Sequence, residues 1–145
     1  MCEISRQDDP AIGNGSRLFR RVHLRQIVRD ENTGMTLISS AAFKDHELSV
    51  DVESILLERG LDERRCLENH NAHRLVSMLA GECRQFEQIV CIDPEEGNPA
   101  HGLVCGRKTG RNARSLRDLC VWVIPPAAPD YQAIQEEMRR LGLPD

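Results

Sequence analysis

The stretch QIVCIDPEEGNPAHGLVC, residues 88–105, decides how the rest of the chain is read. Gln88–Ile92 and His101–Cys105 are apolar and β-prone, and Asp93-Pro94 followed by a small, acidic loop divides them. Proline has no N–H to give to a ladder, so it stops the first run. The simplest conformation is an antiparallel hairpin with a loop of several residues. One hairpin of this kind commits the domain to an antiparallel sheet, and the flanking segments are read against it.

Upstream, Leu75–Ala80 is a further apolar strand. Residues 17–29 put Leu18, Val22, Leu24 and Val28 on alternate positions, which predicts an extended segment. Asp30 to Gly34 is a turn, Met35 to Phe43 a second strand and His46 to Val50 a short third. Asp51 is expected to cap a helix over 52–59, whose Val52, Ile55 and Leu56 share a face, with Gly60 closing it. A helical turn over 62–68 and a polar connection over 69–73 follow.

Downstream, Gly106 to Gly110 is a basic turn. Ser115 followed by Asp118 predicts a helix start with Leu116, Leu119, Cys120 and Val123 as its inner stripe, ended by Pro125-Pro126. Asp130 is expected to cap a last helix with Tyr131, Ile134, Met138 and Leu141 on one face. The sum is an α+β domain over 17–145: a mostly antiparallel sheet of about five to six strands packed with about three helices. Residues 1–16 read as a flexible N-terminal lead.

Composition narrows the function classes. At 145 residues the chain has the length of one domain able to bury an aliphatic core without metal or disulfides. Aromatics are 3% and the net charge is −4. Both argue against a base-stacking or duplex-binding surface for nucleic acid. No run approaches a membrane span. The polar, acidic start does not read as a signal peptide, so a cytoplasmic protein of bacterial type with reduced thiols is expected. The six cysteines form no C-x-x-C pair, and Cys91, Cys105 and Cys120 lie in apolar runs. Cys66, His70 and His73, with Glu68 between them, are closely spaced but fit no zinc pattern. No metal and no cofactor is expected.

Two constellations carry chemistry. His101 and Asp93 stand at the loop end of the hairpin, where a carboxylate can fix the tautomer of an imidazole acting as general base. Arginines cluster at 17–29, including Arg20 and Arg21, and at 107–117, where Arg107, Lys108 and Arg111 surround glycines 106 and 110. Such groups suit phosphate or carboxylate. Ser40 adds a hydroxyl near the first cluster, although no nucleophile elbow surrounds it. The leading reading is a binding or interaction module for a protein partner or small anionic ligand, with the last helix at or near a homodimer interface. The alternative is a small hydrolase or transferase using His101 with Asp93 and nearby arginines.

Overall fold

A computed structural model describes residues 6–143. Eight strands form: β1 Arg17–His23, β2 Ile27–Arg29, β3 Thr36–Ile38, β4 Glu47–Val52, β5 His73–Leu79, β6 Ile89–Ile92, β7 His101–Cys105 and β8 Val121–Ile124. Four α-helices accompany them: α1 Glu53–Glu58, α2 Ala80–Arg84, α3 Gly110–Leu119 and α4 Tyr131–Arg140. Six strands make one antiparallel sheet in the order β6-β7-β4-β1-β5-β8, while β2 and β3 pair apart from it. The architecture is α+β, as the hairpin reading required. That hairpin is β6–β7, with Ile92 opposite Gly102 and Ile89 opposite Cys105.

Alternation along the strands divides the sheet into two faces. Leu18 and Val22 of β1, Leu48, Val50 and Val52 of β4, and Val76 and Met78 of β5 enter the main core. Phe43, α3 through Ala113 and Leu116, and α4 through Ile134 and Met138 cover that face. The opposite face holds a smaller cluster, Phe19, Leu56, Cys66, Leu75 and Ala100. Among the described residues the short α1, the 3-10 turn Glu63–Leu67 and the 93–101 loop lie over it, a thinner cover than the helices on the main core.

Several local expectations are corrected. The helix expected to open at Ser115 begins at Gly110, because the Thr109 hydroxyl accepts from the Asn112 N–H at 3.0 Å. It ends before Val123, since Cys120 is extended and Val-Trp-Val-Ile joins the edge of β5 as β8. Asp51 does not cap α1. It stays in β4, and α1 starts after Val52 without a side-chain cap. Residues 17–29 are not one strand: His23 and Gln26 exchange hydrogen bonds with backbone N–H groups around a 3-10 turn at Leu24–Gln26. Met35 to Phe43 is strand only at Thr36–Ile38, after which the Ser39 hydroxyl starts a tight turn by accepting from the Ala41 N–H.

Of the segment read as a flexible lead, residues 6–16 run along α2 and β6. Arg84 donates to Asp8, to the Asp9 carbonyl and to Asn14, and the Asp9 N–H donates to the Val90 carbonyl. Ile12 is buried. Residues 1–5, with Cys2, lie outside the described residues. The stripe of α4 expected to face a partner is used internally, since Ile134 and Met138 are buried and Leu141 packs on the same core. No helix among the described residues is long and apolar enough to cross a membrane.

Candidate functional site

Successive positions on a strand face opposite ways, so Arg20 and Arg21 part company on β1. Arg20 follows Leu18 and Val22 to the main-core side. Its guanidinium donates to the carbonyls of Ser49 (3.0 Å) and Ala42 (2.9 Å). Burial, reinforced by the neighbouring Arg21, lowers its pKa. Its Nε is buried without a hydrogen-bond partner among the described residues. Arg20 therefore tethers the Ser40–Phe43 turn to the sheet, and Ser40, half-buried, belongs to that turn.

Arg21 follows Phe19 to the other face and meets Asp51. This aspartate sits between Val50 and Val52 and is only 4% exposed. Its Oδ1 accepts from Asn98 Nδ2 at 2.8 Å, and its Oδ2 lies 3.4 Å from Arg21 Nη1. The same Nη1 also donates to the Cys66 carbonyl at 3.3 Å. A buried carboxylate is costly unless paired and hydrogen-bonded, and these contacts supply the pairing. Burial and the adjacent Asp51 push the Cys66 thiol far above its ordinary pKa, so it is a protonated wall and not a nucleophile.

These groups border a polar cavity of about 190 Å³. Asp51 and Cys66 form its buried side, and Arg21, His70 and Asn98 are half-buried along it. Arg65, Glu68, Asn69 and Gly97 are its exposed side. Arg65 donates to Glu68 (3.1 Å) and to the Gly97 carbonyl (3.1 Å), which ties the 3-10 turn to the 93–101 loop. A second depression of about 440 Å³ adjoins it, sharing Arg65 and Glu68 and adding Leu61 and Leu67.

His101 stands directly opposite Asp51 across the β4–β7 ladder, one strand away from the cavity but not in its lining. His101 Nδ1 lies 2.8 Å from the Asp93 carbonyl oxygen and 3.3 Å from Asp93 Oδ2. A carbonyl can only accept, so Nδ1 carries a proton. Nε2 lies 3.1 Å from Glu95 Oε1. The Asp93 carboxylate also receives Arg6 Nη1 at 3.1 Å. The sequence pair thus meets, with Glu95 closing the second ring nitrogen.

On the same face, His73 stacks edge-on between His23 and His70, with ring centroids 5.0 and 5.3 Å away. Its Nδ1 is buried without a hydrogen-bond partner among the described residues. Burial, then His23 and His70, then Arg21 and Arg20, lowers its pKa to about 4. Among the described residues no three His, Cys, Asp or Glu side chains are arranged to hold a metal, and Cys66, His70 and His73 do not converge. The described cysteines, Cys66, Cys83, Cys91, Cys105 and Cys120, are free thiols.

The second basic cluster is dispersed. Lys108 Nζ donates to the carbonyls of His46, Val104 and Gly106 at 3.0–3.2 Å, and burial lowers its pKa to about 8. It staples the end of β7. Arg107 and Arg111 border an open depression of about 390 Å³ beside the start of α3, far from Lys108's contacts in chemical role. Sequence reading missed Arg65 and Asn98, gave Asp51 the role of a helix cap and noted Glu68 only beside Cys66, His70 and His73. The only signal was an aspartate inside the apolar run Leu48-Ser-Val-Asp-Val52, which is unusual for a buried strand.

Fold and site together define a small α+β protein with a mixed-charge cleft on the thinly covered face of its sheet. Compared with models of known families, with curated proteins and with solved structures, the chain matches none.

Proposed function

We propose that the protein acts by binding, and that its cleft takes a small molecule through an anionic group held by Arg21. One observation carries this reading. Arg21 borders the cavity, its side chain is 29% exposed, and among the described residues its hydrogen bonds run through Nη1, which leaves Nε and Nη2 to offer the planar fork that carboxylates and phosphates prefer. The hydrolase or transferase alternative has less support. Glu95 Oε1 faces His101 Nε2 at 3.1 Å and would have to move aside before a substrate could reach that nitrogen.

Arg21→Lys keeps the positive charge over Asp51 and removes the fork. Thermal melting against a panel of carboxylates, phosphates and amino acids should find a compound that raises the Tm of the wild type. A ligand at 100 times its Kd adds about 2.7 kcal/mol, which is several degrees for a chain of this length. Arg21→Lys should lose most of that rise. A panel with no effect on the wild type, or an unchanged rise in the variant, overturns the reading.

A homodimer is a second reading, resting on a different surface from α4. Val121 is 65% and Trp122 38% exposed on β8, the outermost strand of the sheet. Val121→Lys should then lower the mass seen by light scattering to that of one chain. A wild type already monomeric at high micromolar concentration sinks it.

A further inference from the structure

The geometry points to a ligand class for this cleft: a free α-amino acid with an apolar side chain. The inference rests on the binding reading above and adds to it from separate observations. The cavity is lined by two arginines, Arg21 and Arg65, and two carboxylates, Asp51 and Glu68. Their formal charges cancel. A dianion entering it meets Arg21 and Arg65 but also both carboxylates, and like-charge juxtaposition is what electrostatic complementarity selects against. A molecule carrying one group of each sign meets neither penalty.

Two residues of the lining keep an acceptor for an ammonium group. Asn98 Nδ2 donates to Asp51, so the amide oxygen Oδ1 turns away from that carboxylate. Glu68 stands at the exposed side of the cavity, with Oε2 held by Arg65 and its other oxygen open to a further donor. Arg21 supplies the fork for the carboxylate. The cavity of about 190 Å³ has room for roughly six waters at liquid density, which suits the head of an amino acid and little more. The side chain has a place as well. The adjoining depression begins at Arg65 and Glu68 and carries Leu61 and Leu67. Both leucines also pack against the smaller core, so they give the depression an anchored apolar strip, with Asp62 and Arg64 beside it.

Isothermal titration of the folded wild-type chain with five probes tests this: L-leucine, 4-methylpentanoate (leucine without its amine), 3-methylbutylamine (leucine without its carboxylate), L-alanine and inorganic phosphate. Leucine should bind at least tenfold more tightly than each of the others. Glu68→Gln should bring leucine and 4-methylpentanoate to within about threefold of each other, while Arg21→Lys weakens both. If 4-methylpentanoate or phosphate binds the wild type as well as leucine does, and Arg21→Lys weakens it, the amino-acid assignment is wrong and the anion-binding reading stands. An unchanged leucine preference in Glu68→Gln also overturns the assignment. If no probe and no compound of the wider panel binds, both fall together.

Discussion

The two faces of the six-stranded sheet treat neighbouring arginines in opposite ways. On the main-core face, Arg20 is used up by structure: both its terminal nitrogens hold backbone carbonyls under a layer of helices. On the other face, one residue later, Arg21 bonds through a single nitrogen and borders an open cavity. The chemistry of the side chain is the same. What differs is the cover. α3 and α4 seal the first face, whereas a six-residue helix, a 3-10 turn and a loop leave the second partly wet. A covered guanidinium must find acceptors within the protein, as Arg20 does for both terminal nitrogens though not for Nε, and one at an open edge need not. Function is therefore sought where the cover is thin.

The sharpest way to break this comparison is to damage each face and compare the cost. Leu18→Ala empties a fully buried site of the main core and should cost about 2–5 kcal/mol in urea unfolding, with no specific effect on ligand affinity once folding is allowed for. A cost under about 1 kcal/mol would mean that the main face is not the tightly packed one.

The next test uses pH on the cleft face. His73 is held neutral in the folded chain, with a pKa near 4, but takes up a proton near its ordinary value of 6.5 when unfolded. Between those values the unfolded chain binds more protons, so stability falls as pH drops from 6.5 towards 4. The ring is partly solvated, which sets the loss at about 2 kcal/mol, below what the whole shift would give. His73→Phe should remove that part of the slope while the carboxylate contribution remains. Equal slopes for variant and wild type would show that His73 is not held neutral.

A smaller effect separates the two arginines themselves. Arg20→Lys loses the fork that spans two carbonyls, and leaving one buried acceptor unpaired costs about 1–3 kcal/mol. Arg21→Lys keeps its charge beside Asp51 and loses the hydrogen bond to the Cys66 carbonyl, which should cost the unliganded protein less, about 0.5–1 kcal/mol. Chemical denaturation of the two variants side by side decides it, and equal losses would erase the distinction between the faces.

What the sequence made legible follows the range of the interactions. The β6–β7 hairpin, the meeting of Asp93 with His101 and the inner stripe of α4 rest on residues within a few positions of one another, and all three could be read directly. β8 could not. An apolar run of four β-branched and aromatic residues after a helix fits a continued helical stripe as well as a strand, and only the free edge of β5 chooses between them. Asp51 was hidden for a related reason. Beside an apolar run ending in glycine it resembles a helix cap, yet its partners are Arg21, 30 positions earlier, and Asn98, 47 positions later. The spare donors of Arg21 were equally invisible, because Arg20 and Arg21 are identical in type and differ only in which face the pleat gives them.

The most direct test is to watch both guanidinium groups at once. In an NMR spectrum of the Nε–Hε groups of arginine, Arg20 and Arg21 can be assigned from the two lysine variants. A pool of amino acids, carboxylates and phosphate is then added at millimolar concentration. The account predicts that the Arg21 signal moves in a saturable way while the Arg20 signal stays in place. A fixed Arg21 signal, or an Arg20 signal that moves with it, would contradict the division of labour between the two faces.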